Sequence, residues 1–384
     1  MGNMKKLLVL LAAGVAIALS IFYYVYVADH GPGVQLGTGA FDIGRPDTVA
    51  YHVEEVATGL EIPWSITFTS DTRMLVTERP GRLRVIDSGQ LLDEPLHTFS
   101  EVSTRGEEGL MSVVIDPNYD ENHFLYVSVA YQNAEDMYVK IVRFVDAGTS
   151  LTDETVLLDK IPAARYHSGC RLAFGPDGKL YISTGDSFDR QLAQDLDSLA
   201  GKILRINADG SIPTDNPYPN SPVWSYGHRN PQGLAFDDDG QLFSTEHGPS
   251  IIDGPAGGDE FNHIVKGANY GWPLVSHSKV LEGTEASLEV FTPAEAPASL
   301  LWYSGKALPQ FRGNFFFGAL VGEGIVRLIP DGDSFKIEKI HTDYGRIREV
   351  TQGPDGLIYF TTSNRDGRGK PKTGDDHIYR LVPE

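Results

Sequence analysis

The chain of 384 residues has one cysteine, Cys170, so no disulfide can close within it. Its fold must rest on ordinary hydrophobic packing, which excludes the small disulfide-stapled class. A lone thiol three residues from His167 is a candidate nucleophile, although a small buried residue beside a strand is the simpler reading. Basic residues are scarce as well: 32 Lys and Arg stand against 52 Asp and Glu, a formal net charge of −20. Such a surface is well solvated but has no field to hold a polyanion, which argues against nucleic-acid binding. No Cys/His cluster has zinc spacing, no glycine-rich phosphate loop follows a strand, and no Gly-x-Ser-x-Gly elbow occurs. Few stretches read as helices. Forty-one glycines and 23 prolines punctuate the chain, and β-branched and aromatic residues alternate between them.

What the chain does have is a repeated phrase. Asp177-Gly178-Lys179-Leu180-Tyr181-Ile182-Ser183 is echoed by Asp239-Gly240-Gln241-Leu242-Phe243-Ser244 and by Asp355-Gly356-Leu357-Ile358-Tyr359-Phe360. An Asp-Gly turn leading into alternating apolar residues is a hairpin signal. Weaker copies lie at Thr69–Glu78, at Asp116–Asp120 leading into Phe124–Ser128, and at Phe311–Gly318. Six units between residues 50 and 384 average about 55 residues each, longer than the usual propeller repeat, so some loops must be expanded. Many short strands in radial repetition predict an all-β fold, a six-bladed β-propeller; the plainer alternative is a pair of β-sandwiches.

The units also share a phase. Glu107 lies nine residues before Asp116, and His167 lies ten before Asp177. Arg229 and Asn230 lie ten and nine before Asp239, and Arg346 and Arg348 nine and seven before Asp355. Equivalent positions in a propeller meet at one mouth of the central channel. The spacing therefore predicts one pocket holding a base, arginines, an amide and a carboxylate, although an isolated arginine in such a loop can simply bond neighbouring carbonyls.

At the N-terminus Lys5-Lys6 precede twenty-one uncharged residues, Leu7 through Val27, long enough to cross a bilayer core with the lysines cytoplasmic. Ala16-Ile17-Ala18 offers a signal-peptidase site, but cleavage there would expose Ile21 through Val27, so an uncleaved anchor is favoured. Either route exports the remainder, to the periplasmic or extracellular face. Residues 28–49, with Gly31-Pro32-Gly33 and Gly37-Thr38-Gly39, read as a flexible linker to a domain spanning 50–384.

From residue 53 to about 362 the sequence resembles the soluble pyrroloquinoline quinone (PQQ)-dependent glucose and aldose sugar dehydrogenases, which are six-bladed β-propellers. The likeness rests on Gly59-Leu60-Glu61-Ile62-Pro63-Trp64, Glu108-Gly109-Leu110-Met111, and His167 through Gly178. It continues through Gly227-His228-Arg229-Asn230-Pro231-Gln232-Gly233-Leu234-Ala235-Phe236, Glu246-His247-Gly248-Pro249, Gly258-Asp259-Glu260-Phe261-Asn262 and Asn269-Tyr270-Gly271-Trp272-Pro273. The resemblance implies that His167 is the general base toward the anomeric hydroxyl of a sugar while hydride passes from C1 to the quinone. Imidazole suits that work near neutral pH. It further implies that Arg229 and Asn230 contact PQQ and that Arg346 and Arg348 bind its carboxylates, for which guanidinium forks are the natural partners. An active-site Ca²⁺ would use backbone carbonyls at Gly248 and Pro249, and a further calcium site would involve Glu260 and Tyr270. The pattern departs from the best-known members at three positions: Val321 replaces a quinone-contacting lysine, and Glu107 and His247 each replace a glutamine.

Together with the N-terminal segment, the resemblance implies an exported quinoprotein that oxidises an aldose-type sugar to a lactone and hands electrons to a membrane or soluble acceptor. The loops Tyr131–Tyr138, Ser187–Asp197 and His277–Ala298 are expected to shape the sugar pocket. Two other classes stand beside this one. A calcium-centred hydrolytic propeller would place acidic and amide side chains on its metal, where this chain phases arginines. A non-enzymatic sugar- or protein-binding propeller ectodomain would gain from Val321, but has no need of the His167 and arginine set.

Overall fold

Each of the six turn phrases joins the two innermost strands of a sheet. The computed structural model describes residues 48–384, and these form six antiparallel sheets. The innermost strands are Pro63–Phe68, Leu110–Ile115, Gly169–Phe174, Pro231–Phe236, Leu301–Tyr303 and Ile347–Gln352. Each packs against the next and the last packs against the first, which closes a six-bladed β-propeller around a central channel. The sixth blade is completed by the first described strand: Tyr51–Ala57 pairs antiparallel with Ile378–Pro383, Tyr51 opposite Pro383. No helix among the described residues is long and apolar enough to cross a membrane. The expected anchor over 7–27, and the expected linker up to residue 47, lie outside the described residues.

The repeated aspartates have a local task. The Asp177 carboxylate accepts from Lys179 N and from the Tyr181 hydroxyl, at 3.0 Å in both cases. Asp355 repeats this with Leu357 N and Tyr359, and Asp116 with Asn118 N and Tyr126. The side chain thus closes the turn and ties it to the second strand. Between blades, apolar side chains interdigitate. Leu75, Leu110, Val127 and Val142 form one such layer, and Tyr126, Ile141, Leu172, Ile182 and Leu204 the next, all essentially without solvent contact.

Two features aim side chains at the channel mouth. Five of the six innermost strands carry a register shift near their first residues: Pro63/Ser65, Leu110/Val113, Gly169/Leu172, Pro231/Gly233 and Ile347/Val350. Such bulges turn a strand and re-aim its residues. Hydroxyls on the second strands then lock each bulge to the following blade. Thr77 Oγ1 accepts from Ser65 N and donates to Met111 O; Ser183 Oγ accepts from Arg171 N and donates to Pro231 O. Ser128 and Thr361 repeat the arrangement toward Cys170 O and Pro63 O, and Thr245 donates to Ala298 O. In the fifth blade Phe317 stands where the hydroxyl would be, and Ser299 accepts from Val350 N instead.

Candidate active site

Two kinds of loop reach the mouth: those entering an innermost strand, and those leaving the second strand for the third. The first kind carries Glu107, His167, Arg229, Asn230 and Arg346, and Arg348 lies in the bulge of its strand. All but Asn230, which is fully buried behind the wall, line two adjoining cavities. The inner one, about 230 Å³, is lined by Trp64, Arg79, Gln232, Arg346, Arg348 and Asp366 among others. The outer one, about 560 Å³, is lined by His167, Phe188, Arg229, Gly248, Pro249 and Ile251 among others. Glu107, Tyr166, His247, Ala296, Val321 and Arg368 border both, so the two are continuous.

His167 is held in one orientation. Its backbone is left-handed, φ +61°, a conformation costly for a side-chain-bearing residue, and its carbonyl accepts from Ser187 N at 3.1 Å. Gly185 packs against that carbonyl so closely that a Cβ would lie 1.9 Å from it. The ring Nδ1 lies 2.8 Å from Asp186 Oδ1, and Asp186 Oδ2 accepts from Trp272 Nε1 at 2.8 Å. The carboxylate keeps the proton on Nδ1 and leaves Nε2 as an acceptor. Phe188 stacks obliquely on the imidazole at 5.3 Å and screens it from solvent.

The arginines differ in how they are balanced. Arg346 spends its donors on Asp366, at 2.7 and 2.9 Å, and on Leu320 O. Burial pushes the Asp366 carboxyl up, but Arg346 outweighs it and holds it below its ordinary value. Arg229 is paired likewise with Asp253 at 2.9 Å and lies 5.5 Å over the Trp272 ring. Arg348 has no carboxylate partner. It is buried, donates Nη1 to Gln232 Oε1 at 3.0 Å, and leaves Nε without an acceptor. Burial lowers its pKa to about 10, with Arg346 and Arg171 adding to the effect. Asn230 accepts at Oδ1 from Gly169 N and Gln232 Nε2, while its buried Nδ2 finds no acceptor. Glu107 pairs with Arg368 at 2.5 Å. His247 is kept neutral by burial and by the Arg348 and Arg229 charges, and bonds Pro297 O through Nε2. The inner cavity is therefore a buried, cationic space with unsatisfied donors, built to take an anion with acceptor oxygens.

Residues 60–379 match the family model described as glucose/sorbosone dehydrogenase. The chain belongs to the glucose/sorbosone dehydrogenase family. It is 34% identical over 349 residues to the aldose sugar dehydrogenase YliI of Escherichia coli, covering 84% of this chain and 92% of that one. Among solved structures it is similar to a putative oxidoreductase (glucose dehydrogenase) from Thermus thermophilus, with 40% identity, a TM-score of 0.80 and coverage of 87% and 100% of the two chains. It is also similar to the PQQ-bound form of the aldose sugar dehydrogenase of Streptomyces coelicolor, with 34% identity, a TM-score of 0.77 and coverage of 88% and 100%.

In this member of the glucose/sorbosone dehydrogenase family the expected metal residues divide: Gly248 and Pro249 border the outer cavity, while Glu260 and Tyr270 lie with them around a separate small pocket. Gly248 N donates to Asp259 Oδ1 at 2.8 Å. Glu260 faces Glu246 across paired strands, and burial followed by that charge raises its pKa. The Tyr270 hydroxyl donates to His263 O. No cluster of three or more His, Cys, Asp or Glu side chains able to hold a metal occurs among the described residues.

Other residues at the mouth were not anticipated. Asp186, Asp253, Asp366, Arg368 and Arg79 all lie on the second kind of loop. Burial lowers the Arg79 pKa, opposed by the Asp366, Glu107 and Glu108 charges. One expected pocket loop takes no part: Tyr131–Tyr138 is a tight hairpin with strand pairing from Phe124↔Val145 to Asn133↔Asp136, too short to reach the cavities. Val321 borders both cavities and is largely exposed, so the missing lysine leaves an apolar lip.

Proposed function

We propose that the protein is an exported, membrane-anchored quinoprotein that oxidises the C1 hydroxyl of an aldose-type sugar to a lactone, with PQQ and Ca²⁺ as cofactors. One observation carries this reading. Arg348, a buried guanidinium with no carboxylate partner, opens on the same continuous cavity as a histidine held by Asp186. The residues fit a planar tricarboxylate. Arg348 and Arg79 supply cationic forks, Asn230 braces Gly169 and Gln232 on the cavity wall, and the Trp64 indole beside Arg348 offers an apolar face. PQQ, when bound, supplies the acceptor for the C1 hydride, and Ca²⁺ at the Gly248 and Pro249 carbonyls supplies Lewis-acid polarisation. Glu260 is the candidate for further calcium binding, since a cation would relieve its repulsion with Glu246.

In this reading His167 Nε2 takes the proton of the C1 hydroxyl. Asp186 keeps Nδ1–H fixed and stabilises the imidazolium that forms, while Trp272 holds the far oxygen of Asp186. Phe188 and Tyr166 wall the base from water and offer aromatic faces to a sugar ring. Val321, together with the prior pairing of Arg229 and Arg346, favours one alternative, a non-enzymatic sugar- or protein-binding propeller. One experiment separates them. The full chain, purified in detergent, is titrated with PQQ and Ca²⁺ by absorbance, then supplied with a panel of aldoses and a redox dye. PQQ binding with sugar-dependent dye reduction is expected; no PQQ binding and no reduction with any sugar would leave the binding propeller.

A further inference from the structure

The surface around the cavity mouth differs from the rest of the molecule in charge and in polarity. The chain carries a net charge of −20, yet the segment 363–374 holds Arg365, Arg368, Lys370 and Lys372 against one carboxylate, Asp366, which Arg346 already neutralises. Two neighbouring loops add Arg105 and Arg165, exposed like the four cations of that segment. The loops touch: Glu107 N donates to Arg165 O at 3.0 Å, and the Arg368 guanidinium bonds Glu107 and lies 5.4 Å over the Tyr166 ring. Among the described residues, Arg105, Arg165 and Lys370 pair with no carboxylate. The outer cavity also has an apolar edge. Ile251 and Ile252 are 87% and 79% exposed, and Val321 and Phe188 complete the edge. An exposed apolar patch rimmed by charge marks an interaction site. Its position over the redox cavity says what should come there.

We infer that this mouth is the docking surface for an acidic, one-electron redox protein, which collects the electrons left by sugar oxidation; the inference rests on the proposed dehydrogenase reading. The sign follows from complementarity. A basic patch on an otherwise acidic protein steers a negatively charged partner to this one face and repels it elsewhere. The apolar lip fits the exposed hydrophobic edge at which such a protein brings its redox centre close. Converting one hydroxyl to the lactone carbonyl removes two electrons and two hydrogens. The hydroxyl hydrogen leaves as a proton through His167, and the C1 hydrogen leaves as a proton once its electron pair has gone. The two electrons reduce two molecules of the partner, one each, in successive encounters.

The probes are cytochrome c and its succinylated form, which share one haem but differ in the sign of surface charge. Binding of each to the cofactor-free full chain is measured at low and at physiological ionic strength. The succinylated form is expected to bind, and to bind roughly tenfold or more weakly when salt is raised or when Arg105→Glu, Arg165→Glu and Lys370→Glu are combined. A second triple variant away from the mouth, Lys266→Glu, Lys306→Glu and Lys336→Glu, changes net charge equally and should have a much smaller effect. Equal effects of the two triples, or no binding of the succinylated form, would overturn the proposal. So would binding of phosphatidylglycerol vesicles that depends on the mouth residues while succinylated cytochrome c ignores them. With PQQ, Ca²⁺ and an aldose added, the mouth triple should slow haem reduction and leave reduction of an uncharged dye unchanged. If the unaltered chain reduces no dye at all, the dehydrogenase reading fails, and the cofactor-free binding arm still decides the docking surface.

Discussion

Replacing Asp186 by asparagine tests the active-site reading at its most constrained point. Three donors converge on this carboxylate: His167 Nδ1 at 2.8 Å and Phe188 N at 2.9 Å on Oδ1, and Trp272 Nε1 at 2.8 Å on Oδ2. An amide has one oxygen, so either orientation sets its NH₂ against a donor. With the oxygen toward His167, the histidine keeps its tautomer, Trp272 is orphaned, and the charge that steadies the imidazolium is gone. A charge-assisted bond becomes a neutral one, a loss of about 1–2 kcal/mol in the transition state, or roughly tenfold in rate. With the oxygen toward Trp272, Phe188 N is orphaned and the NH₂ donates to Nδ1, which moves the ring proton to Nε2. The base then has no lone pair to offer, and tautomer reversal of this kind costs about 10⁴ in rate. Each orientation loses one buried bond, so both are populated; the first carries the turnover, and kcat for sugar-dependent dye reduction should fall by roughly 10- to 100-fold with KM little changed. The orphaned donor should also destabilise the protein by about 1–3 kcal/mol. Steady-state kinetics and thermal unfolding of the PQQ-loaded variant measure both. A kcat within about threefold of the parent would refute the role of Asp186 as the orienter of His167.

Other perturbations follow from the same geometry. Glu108 is fully buried beside Ser168, and burial raises its pKa to about 8. Below about pH 4.5 it is neutral in both states; as pH rises toward 8 the unfolded chain ionises and the folded one does not, so stability falls by up to about 1.4 kcal/mol per pH unit. Unfolding of Glu108→Gln across pH 5 to 8.5 should show a flatter decline than the parent, and parallel curves would contradict the assignment. Thr77→Val keeps the shape but strips partners from Ser65 N and Met111 O, and denaturant titration should show a loss of about 2–3 kcal/mol; a change under about 0.5 kcal/mol would refute a stabilising role for the hydroxyl. Arg348→Met removes a buried cation that no carboxylate bonds directly. Calorimetry should find the cofactor-free protein as stable as the parent or more so, with PQQ affinity down at least roughly tenfold; unchanged affinity would remove Arg348 as the anion anchor.

The fold was legible because its signal is local. In three blades a turn aspartate bonds the amide two residues on and a tyrosine on the next strand, and that phrase or a weaker copy of it falls at the same junction in every blade. Counting backward from it reached the loops that enter the innermost strands, hence His167, Arg229, Asn230 and Arg346. The loops leaving the second strand reach the same mouth from the other side of the phrase. Asp186 lies nine residues after Asp177, His247 eight after Asp239, and Asn364 nine after Asp355. These loops are long and unlike one another, so nothing in their sequences announces a shared position. The balancing carboxylates Asp253 and Asp366 were hidden for that reason, and with them the fact that Arg348, not the whole set of arginines, is the unbalanced one. Closure of the last blade by Tyr51–Ala57 was equally illegible, since the first and the last described strands share no pattern beyond alternation.

That closure also sets an order of events. The first described strand finds its place only beside the last, more than three hundred residues later. Until Ile378–Pro383 emerges, Tyr51–Ala57 must wait with an open edge, and five blades can assemble while the ring remains unsealed. Joining such distant segments is the slowest kind of contact to form, and an unpaired strand edge is where wrong partners attach. A chain interrupted near its end would therefore lose more than a blade: it would release the beginning of the domain as well.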